Sequence, residues 1–259
     1  MEVVIAPAGE LAERGAGLFA ALLERTPDAV LGLATGSSPL GVYDELVRRH
    51  EVGDVSFARA RGFTLDEYVG LPAGHRESYR AVIHREFVDR VDFAPGAVVG
   101  PDGTAADLTA ACAAYEADIA AAGGVDLQIL WIGSNGHIAF NEPGSSLVSR
   151  TRLEVLSAQT RRDNARFFGG DMAAVPHHCL TQGLGTIMDA RQVVLVATGE
   201  GKAAAVRELV EGGVSARWPA TILQFHPRAT VLIDEAAASG LETADHHRYA
   251  QANRHPTQR

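Results

Sequence analysis

Short apolar runs alternate with longer stretches whose apolar residues recur at helical spacing, and this alternation persists through most of the chain. Residues 3–5 read as a first strand and 11–24 as an amphipathic helix, and 29–34 and 41–49 repeat the pair. A third strand at 61–65 ends in the acidic pair Asp66-Glu67. Helix is predicted at 78–88, a brief strand at 97–99, an Ala-rich helix at 104–121 and a strongly apolar strand at 126–132. Strand, helix and strand at 192–197, 202–211 and 229–233 close the series. Strands that are apolar at nearly every position must be covered on both sides. The pattern therefore predicts an α/β fold, an open, mostly parallel sheet with helices on both faces. Between 149 and 182 the alternation lapses into a segment rich in Arg, Gly and His, read as an inserted lid above the sheet. The tail at 241–259 is polar and is expected to cover the surface or fray. No repeat and no Pro/Ser linker divides the chain, so 1–259 is read as one domain carrying that insertion.

Composition narrows the function classes. A net charge of −9 argues against a nucleic-acid or membrane-surface binder, either of which needs a broad basic face. It leaves room for a small anionic substrate, which needs only a few local cations. No apolar run approaches the roughly 20 residues that span a bilayer, and the first residues lack the pattern of a signal peptide. Two cysteines, Cys112 and Cys179, make no disulfide framework, which points to a reducing cytoplasm. Of 23 basic side chains only Lys202 is a lysine, which invites a chemical reason for it.

Ligands of open α/β sheets bind beyond the carboxyl ends of the strands, so the residues after each strand are the informative ones. After the second strand, Ala34-Thr35-Gly36-Ser37-Ser38-Pro39 combines a permissive glycine, two hydroxyls and a helix start, a combination suited to an anion. An ordinary strand-to-helix turn with a serine cap has the same residues. After the third strand, Asp66 or Glu67 is placed to act as a general base or to cap a helix. The apolar strand at 126–132 leads into Gly133-Ser134-Asn135-Gly136-His137-Ile138-Ala139-Phe140-Asn141-Glu142-Pro143-Gly144. Its glycines allow a tight turn that brings Asn135, His137 and Glu142 near one another, and an imidazole beside a carboxylate is a neutral-pH acid/base. Lys202 follows a strand in Thr198-Gly199-Glu200-Gly201-Lys202, again at a helix start, while Arg161, Arg162 and Arg166 in the lid are candidates to close over the same anion. The histidine pairs at 177–178 and 246–247 lack the spacing of a metal site, and no metal is expected.

Together these segments resemble the isomerising glucosamine-6-phosphate deaminases. The likeness extends from Val30 to about Glu235 and rests on LGLATGSSPLGVYDEL, FTLDEYVGL followed by ESY, IGSNGHIAFNEPGSSLVSRTR, TRRDNARFF, LTQGLGTIMDA and GEGK. The resemblance implies a Rossmann-like fold shared with 6-phosphogluconolactonases and sugar-phosphate-sensing domains. It implies Asp66 as the base moving a proton between C2 and C1, and His137 with Glu142 and Asn135 as the ring-opening group. Gly36, Ser37, Ser38, Arg166 and Lys202 would then hold the 6-phosphate. No cofactor is implied, and the partner is a small sugar phosphate, with a homo-oligomer compatible with the pattern because relatives include monomers and hexamers. Hexameric members respond to N-acetylglucosamine 6-phosphate. Ser145 and Arg152 match that allosteric site, whereas Glu154 and Val155 stand where those members have Lys and Thr, so activation is expected to be weak or absent.

Three rival readings are testable. A 6-phosphogluconolactonase needs neither an amine nor an enolising base. An aldolase would use Lys202 as a Schiff-base nucleophile, for which its Gly-rich turn offers no apolar pocket. A non-catalytic sensor would not need Asp66, His137 and Glu142 together.

Overall fold

The computed structural model describes residues 1–72 and 74–255. In chain order the elements are β1 (Glu2–Ile5), α1 (Ala8–Arg25), β2 (Val30–Leu33), α2 (Ser37–Glu51), β3 (Arg61–Thr64) and β4 (Asp66–Tyr68). These are followed by α3 (Tyr79–Glu86), β5 (Val98–Val99), α4 (Leu108–Ala121), β6 (Leu127–Trp131), β7 (Arg152–Val155) and α5 (Ala158–Asn164). The remainder comprises β8 (His178–Thr181), α6 (Leu184–Met188), β9 (Val193–Ala197), α7 (Ala203–Glu211), β10 (Ala229–Ile233) and α8 (Ala244–Ala252).

Seven strands form one sheet in the order β1-β10-β9-β6-β2-β3-β5, and every pairing within it is parallel. β2 and β9 are buried at every residue. Successive strand residues point to opposite sides, so both faces of the sheet are covered, as the apolar runs predicted. α1 and α2 pack side by side against the central strands. The apolar core runs through β2, β6, β9 and β10 with Phe19, Leu46 and Phe57 among its fully buried side chains.

Helix starts follow local chemistry more closely than apolar periodicity. α2 begins at Ser37, directly after Gly36, and so earlier than the apolar positions alone indicated. α4 begins at Leu108 rather than near 104, because the Asp107 carboxylate caps it by accepting from the amides of Thr109 and Ala110. Ser78 caps α3 in the same way through Ala81.

Two features go beyond the sequence reading. The third strand does not run straight into the acidic pair: β3 ends at Thr64, the chain bends at Leu65, and Asp66–Tyr68 becomes a strand of a second, antiparallel sheet in the order β4-β8-β7. Backbone bonds from Leu65 N to Leu33 O and from Gln182 N to Leu65 O hold that bend between the sheets. The segment 149–182 therefore contains two strands and the helix α5, and one of those strands pairs with the strand of Asp66. In the tail, α8 packs along β1 and Arg254 bonds to Glu2, while residues 256–259 lie outside the described residues.

Candidate active site

β9, β6, β2 and β3 are consecutive in the parallel sheet, so the turns at their carboxyl ends lie side by side although their sequences are far apart. Those turns carry Lys202, the 133–144 loop, the Ser37-Ser38 turn and Asp66 respectively. The turns after β2 and β9 border a cavity of about 260 Å³, whereas Asp66, Asn135, His137 and Glu142 lie behind its lining residues rather than among them. Thr35, Gly36, Ser37 and Ser38 line it from the β2 turn, Trp131 from the end of β6, Thr198 and Lys202 from the β9 turn, and Arg166 from the segment after α5.

Gly36 has φ of 109°, a region that favours glycine, and a Cβ there would come 3.1 Å from the Trp131 indole nitrogen. The glycine thus allows both the turn into α2 and the close approach of the tryptophan. Free amides at the start of α2, with the hydroxyls of Ser37 and Ser38, make this edge of the cavity receptive to an anion. The Lys202 ammonium lies 5.2 Å from the Trp131 ring centre. Burial and the nearby Arg166 lower the lysine's proton affinity, and the Asp163 carboxylate opposes them. Arg166 stacks over Phe167 at 4.6 Å. Neither cation forms an ion pair among the described residues. Arg161 behaves differently: its guanidinium bonds to the carbonyls of Met172 and Val175 and braces the 149–182 segment from within. Arg162 bonds to Gln159. Of the three lid arginines only Arg166 borders the cavity.

The 133–144 loop is wound tightly around its imidazole. A Cβ on Gly133 would land 2.3 Å from His137 Cε1, so the side chain fits only against a bare backbone. Ala139, φ 50°, is the one non-glycine residue with positive φ among the described residues, and this strain lies two residues from His137. The His137 ring packs edge-on against Trp131 at 5.3 Å. It is 4% exposed, and both ring nitrogens lack a protein hydrogen-bond partner. Burial holds the imidazole neutral, pushing its pKa well below the usual value. The Glu142 carboxylate opposes that shift and Lys202 adds to it. Glu142 Oε2 is 3.9 Å from His137 Nδ1, too far for a hydrogen bond, and accepts one from Asn135 Nδ2 at 2.9 Å. Asn135 in turn receives the His137 amide at 3.3 Å, so it spans the pair. The other Glu142 oxygen accepts the amide of Ser157, the cap of α5, which ties this loop to the 149–182 segment.

Asp66 and Tyr68 are both buried on β4 with Glu67 between them, so they share one face of the strand. Tyr68 borders the cavity. The Asp66 carboxylate accepts no hydrogen bond among the described residues. Burial pushes its pKa well up, and the adjacent Glu67 charge adds to that. Around it stand three buried phenols, Tyr68, Tyr79 and Tyr115, and the Cys179 thiol. Tyr68 receives a 2.9 Å bond from the buried amide of Asn164 at the end of α5 and lies 3.4 Å from the Tyr79 hydroxyl.

Sequence reasoning missed this wall of Tyr68, Tyr79, Asn164 and Trp131. Tyr68 had a signal in the alternation of β4, two residues from Asp66. Tyr79 and Asn164 lay within the family-like runs ESY and TRRDNARFF, but no local pattern singled them out, because their approach to Tyr68 is a contact between distant segments. Away from the cavity, Arg152 on β7 bonds to Ser145 Oγ at 3.0 Å, to Asn141 Oδ1 at 2.9 Å and to Glu154 Oε2 at 2.5 Å. The described residues contain no cluster of three or more His, Cys, Asp or Glu placed to hold a metal, and no helix long and apolar enough to cross a membrane.

The chain has known relatives. The family model described as glucosamine-6-phosphate isomerases/6-phosphogluconolactonase matches residues 6–232. The chain is 69% identical over 253 residues to the glucosamine-6-phosphate deaminase of Beutenbergia cavernae, covering 97% of both. It is 67% identical over 249 residues to that of Mycolicibacterium smegmatis, covering 96% of this chain and 95% of the relative. A solved monomeric glucosamine-6-phosphate deaminase superposes with a TM-score of 0.90 at 42% identity, over 93% of this chain and all, 100%, of that one. The 6-phosphogluconolactonase of Trypanosoma brucei reaches a TM-score of 0.74 at 21% identity, over 93% of this chain and 98% of its own, a likeness of fold.

Proposed function

This chain belongs to the glucosamine-6-phosphate isomerase/6-phosphogluconolactonase family, and we propose how its cavity carries out the deaminating isomerisation of glucosamine 6-phosphate. The reaction takes glucosamine 6-phosphate and water to fructose 6-phosphate and ammonium. The lactonase alternative is disfavoured, since the high identities are to deaminases and the lactonases share only the fold.

The 6-phosphate sits against the Ser37-Ser38 turn at the start of α2, with Lys202 and Arg166 supplying charge. Anchoring the dianion converts binding energy into placement of C1 and C2. Neutral His137 takes the proton of the anomeric hydroxyl and returns one to the ring oxygen. The C1–O5 bond breaks as the C1 aldehyde forms, and Glu142 stabilises the transient imidazolium. Asn135 holds that carboxylate in place and, being unable to ionise, orients the pair without altering its charge. Asp66 then removes the C2 proton, now acidic beside a carbonyl, to give a cis-enolamine. Protonation at C1 gives an iminium at C2. Water adds there, the C2–N bond breaks, and ammonium leaves with a ketone at C2. A desolvated carboxylate is a stronger base than one in water, which fits the proton abstraction. The observation that supports the reading is that the turns bearing these groups follow four adjacent strands of the parallel sheet.

We assign the segment 149–182 the role of a lid, on the strength of its bonds to the site through Ser157 and Asn164. The two unpaired cysteines support a cytoplasmic setting.

The decisive variant is Asp66→Asn. Ammonium release is expected to fall by about 10³-fold or more while fructose 6-phosphate still binds; unchanged turnover would remove Asp66 from the mechanism. The pH profile gives a second check. The base must be ionised and its pKa is raised, so kcat/KM is lost as pH falls through that raised value, at a pH above the usual carboxylate range of about 4. His137 stays neutral throughout that range and does not set this limb. An acid limb at or below pH of about 4 would overturn the assignment.

A further inference from the structure

Glu67 points away from the cavity yet is tied into its wall. Oε1 accepts the amides of Tyr68 at 2.8 Å and Tyr79 at 2.9 Å, and Oε2 accepts that of Arg80 at 2.9 Å. The last two are the first amides of α3, which lack partners within the helix. One carboxylate therefore bonds strand β4 to the helix that contributes Tyr79, Val82 and Arg85 to the cavity.

We propose that Glu67 is a positioning residue for the reaction: it fastens the α3 wall to the strand of Asp66 and places a fixed negative charge one residue from that base. The inference rests on the reading of Asp66 as the base. Without the clamp, α3 keeps the Tyr68–Tyr79 contact with β4 but is otherwise joined to it by a loop that includes Gly70 and Gly74 with positive φ, and Arg85 loses its fixed distance from Asp66. The charge acts in the same direction as burial. Facing Asp66 are Glu67 and Tyr68 on its own strand, Tyr79 on α3, Tyr115 on α4 and Cys179 on β8. None of these is a cation, so Glu67 is the one formal charge bearing directly on the base in this group. Burial raises the pKa of Glu67 itself, and its three amide bonds and the Arg80 charge offset only part of that rise.

The test compares E67Q and E67A with the unaltered enzyme, following ammonium release from glucosamine 6-phosphate across pH, with thermal melting to verify folding. E67Q keeps an oxygen for Tyr68 and Tyr79 but removes the charge, so the acid limb of kcat/KM should move to lower pH by about half to one unit. The substrate's own ionisations are common to all three proteins and cancel in the comparison. E67A loses the clamp as well, and KM should rise by about tenfold. An E67Q limb coincident with that of the unaltered enzyme overturns the electrostatic part, and an E67A KM within twofold overturns the clamp. If E67A does not fold, E67Q decides alone. Full activity of D66N would instead overturn the underlying assignment, whatever Glu67 does.

Discussion

Lys202 and Arg152 are both cations placed near serine hydroxyls, and their surroundings treat them oppositely. Lys202 shares the cavity with Ser37, Ser38 and Arg166 and pairs with no carboxylate, the nearby Asp163 acting only through space. Arg152 reaches Ser145 but is held by Glu154 at 2.5 Å and by Asn141. A site that leaves its cations unpaired has attraction available for a dianion. One that already contains a counterion must lose that pair before an anion can bind. On the proposed function the cavity's cations are free to meet an anion, whereas Arg152 is already paired with the chain's own acid.

Removing charge from the open site should have the largest effect. Lys202→Ala is expected to reduce kcat/KM for glucosamine 6-phosphate by about 10²-fold, mainly through KM, because a charge-assisted contact to the phosphate is lost. A KM within twofold of the original would erase the contrast. Gly133→Ala follows. Its methyl would collide with the His137 ring, so kcat should fall by about tenfold or more while phosphate binding is little affected. Steady-state kinetics with a fructose 6-phosphate binding isotherm separates the two quantities. The smallest effect belongs to the closed site. N-acetylglucosamine 6-phosphate should leave the half-saturating substrate concentration of the unaltered enzyme unchanged within about twofold. Glu154→Gln, by releasing Arg152, should let the effector bind weakly, seen by calorimetry. A clear activation of the unaltered enzyme would refute the account of Glu154.

The Ser37-Ser38 turn, the 133–144 loop and the Lys202 turn were legible because each is a contiguous run after an apolar strand, and parallel βαβ order stacks such turns along one edge. The 149–182 segment was legible only as a break in the pattern. Its strands are short, β7 is partly exposed, and β8 pairs with a segment more than a hundred residues earlier, which no local periodicity reports. Arg161 shows the same limit. It lies five residues before Arg166 in an equally basic run, yet its guanidinium points to Met172 and Val175.

Residue order alone determined the alternating elements, the parallel sheet and the loops that bear chemical groups, since apolar spacing and turn residues act over a few neighbours. Tertiary structure decided the bend at Leu65, the antiparallel pairing that sets Asp66 opposite Thr181, and which arginines face the cavity. Those outcomes depend on contacts between distant segments, where burial and the need to satisfy every buried polar group select one arrangement from many that the local signals allow.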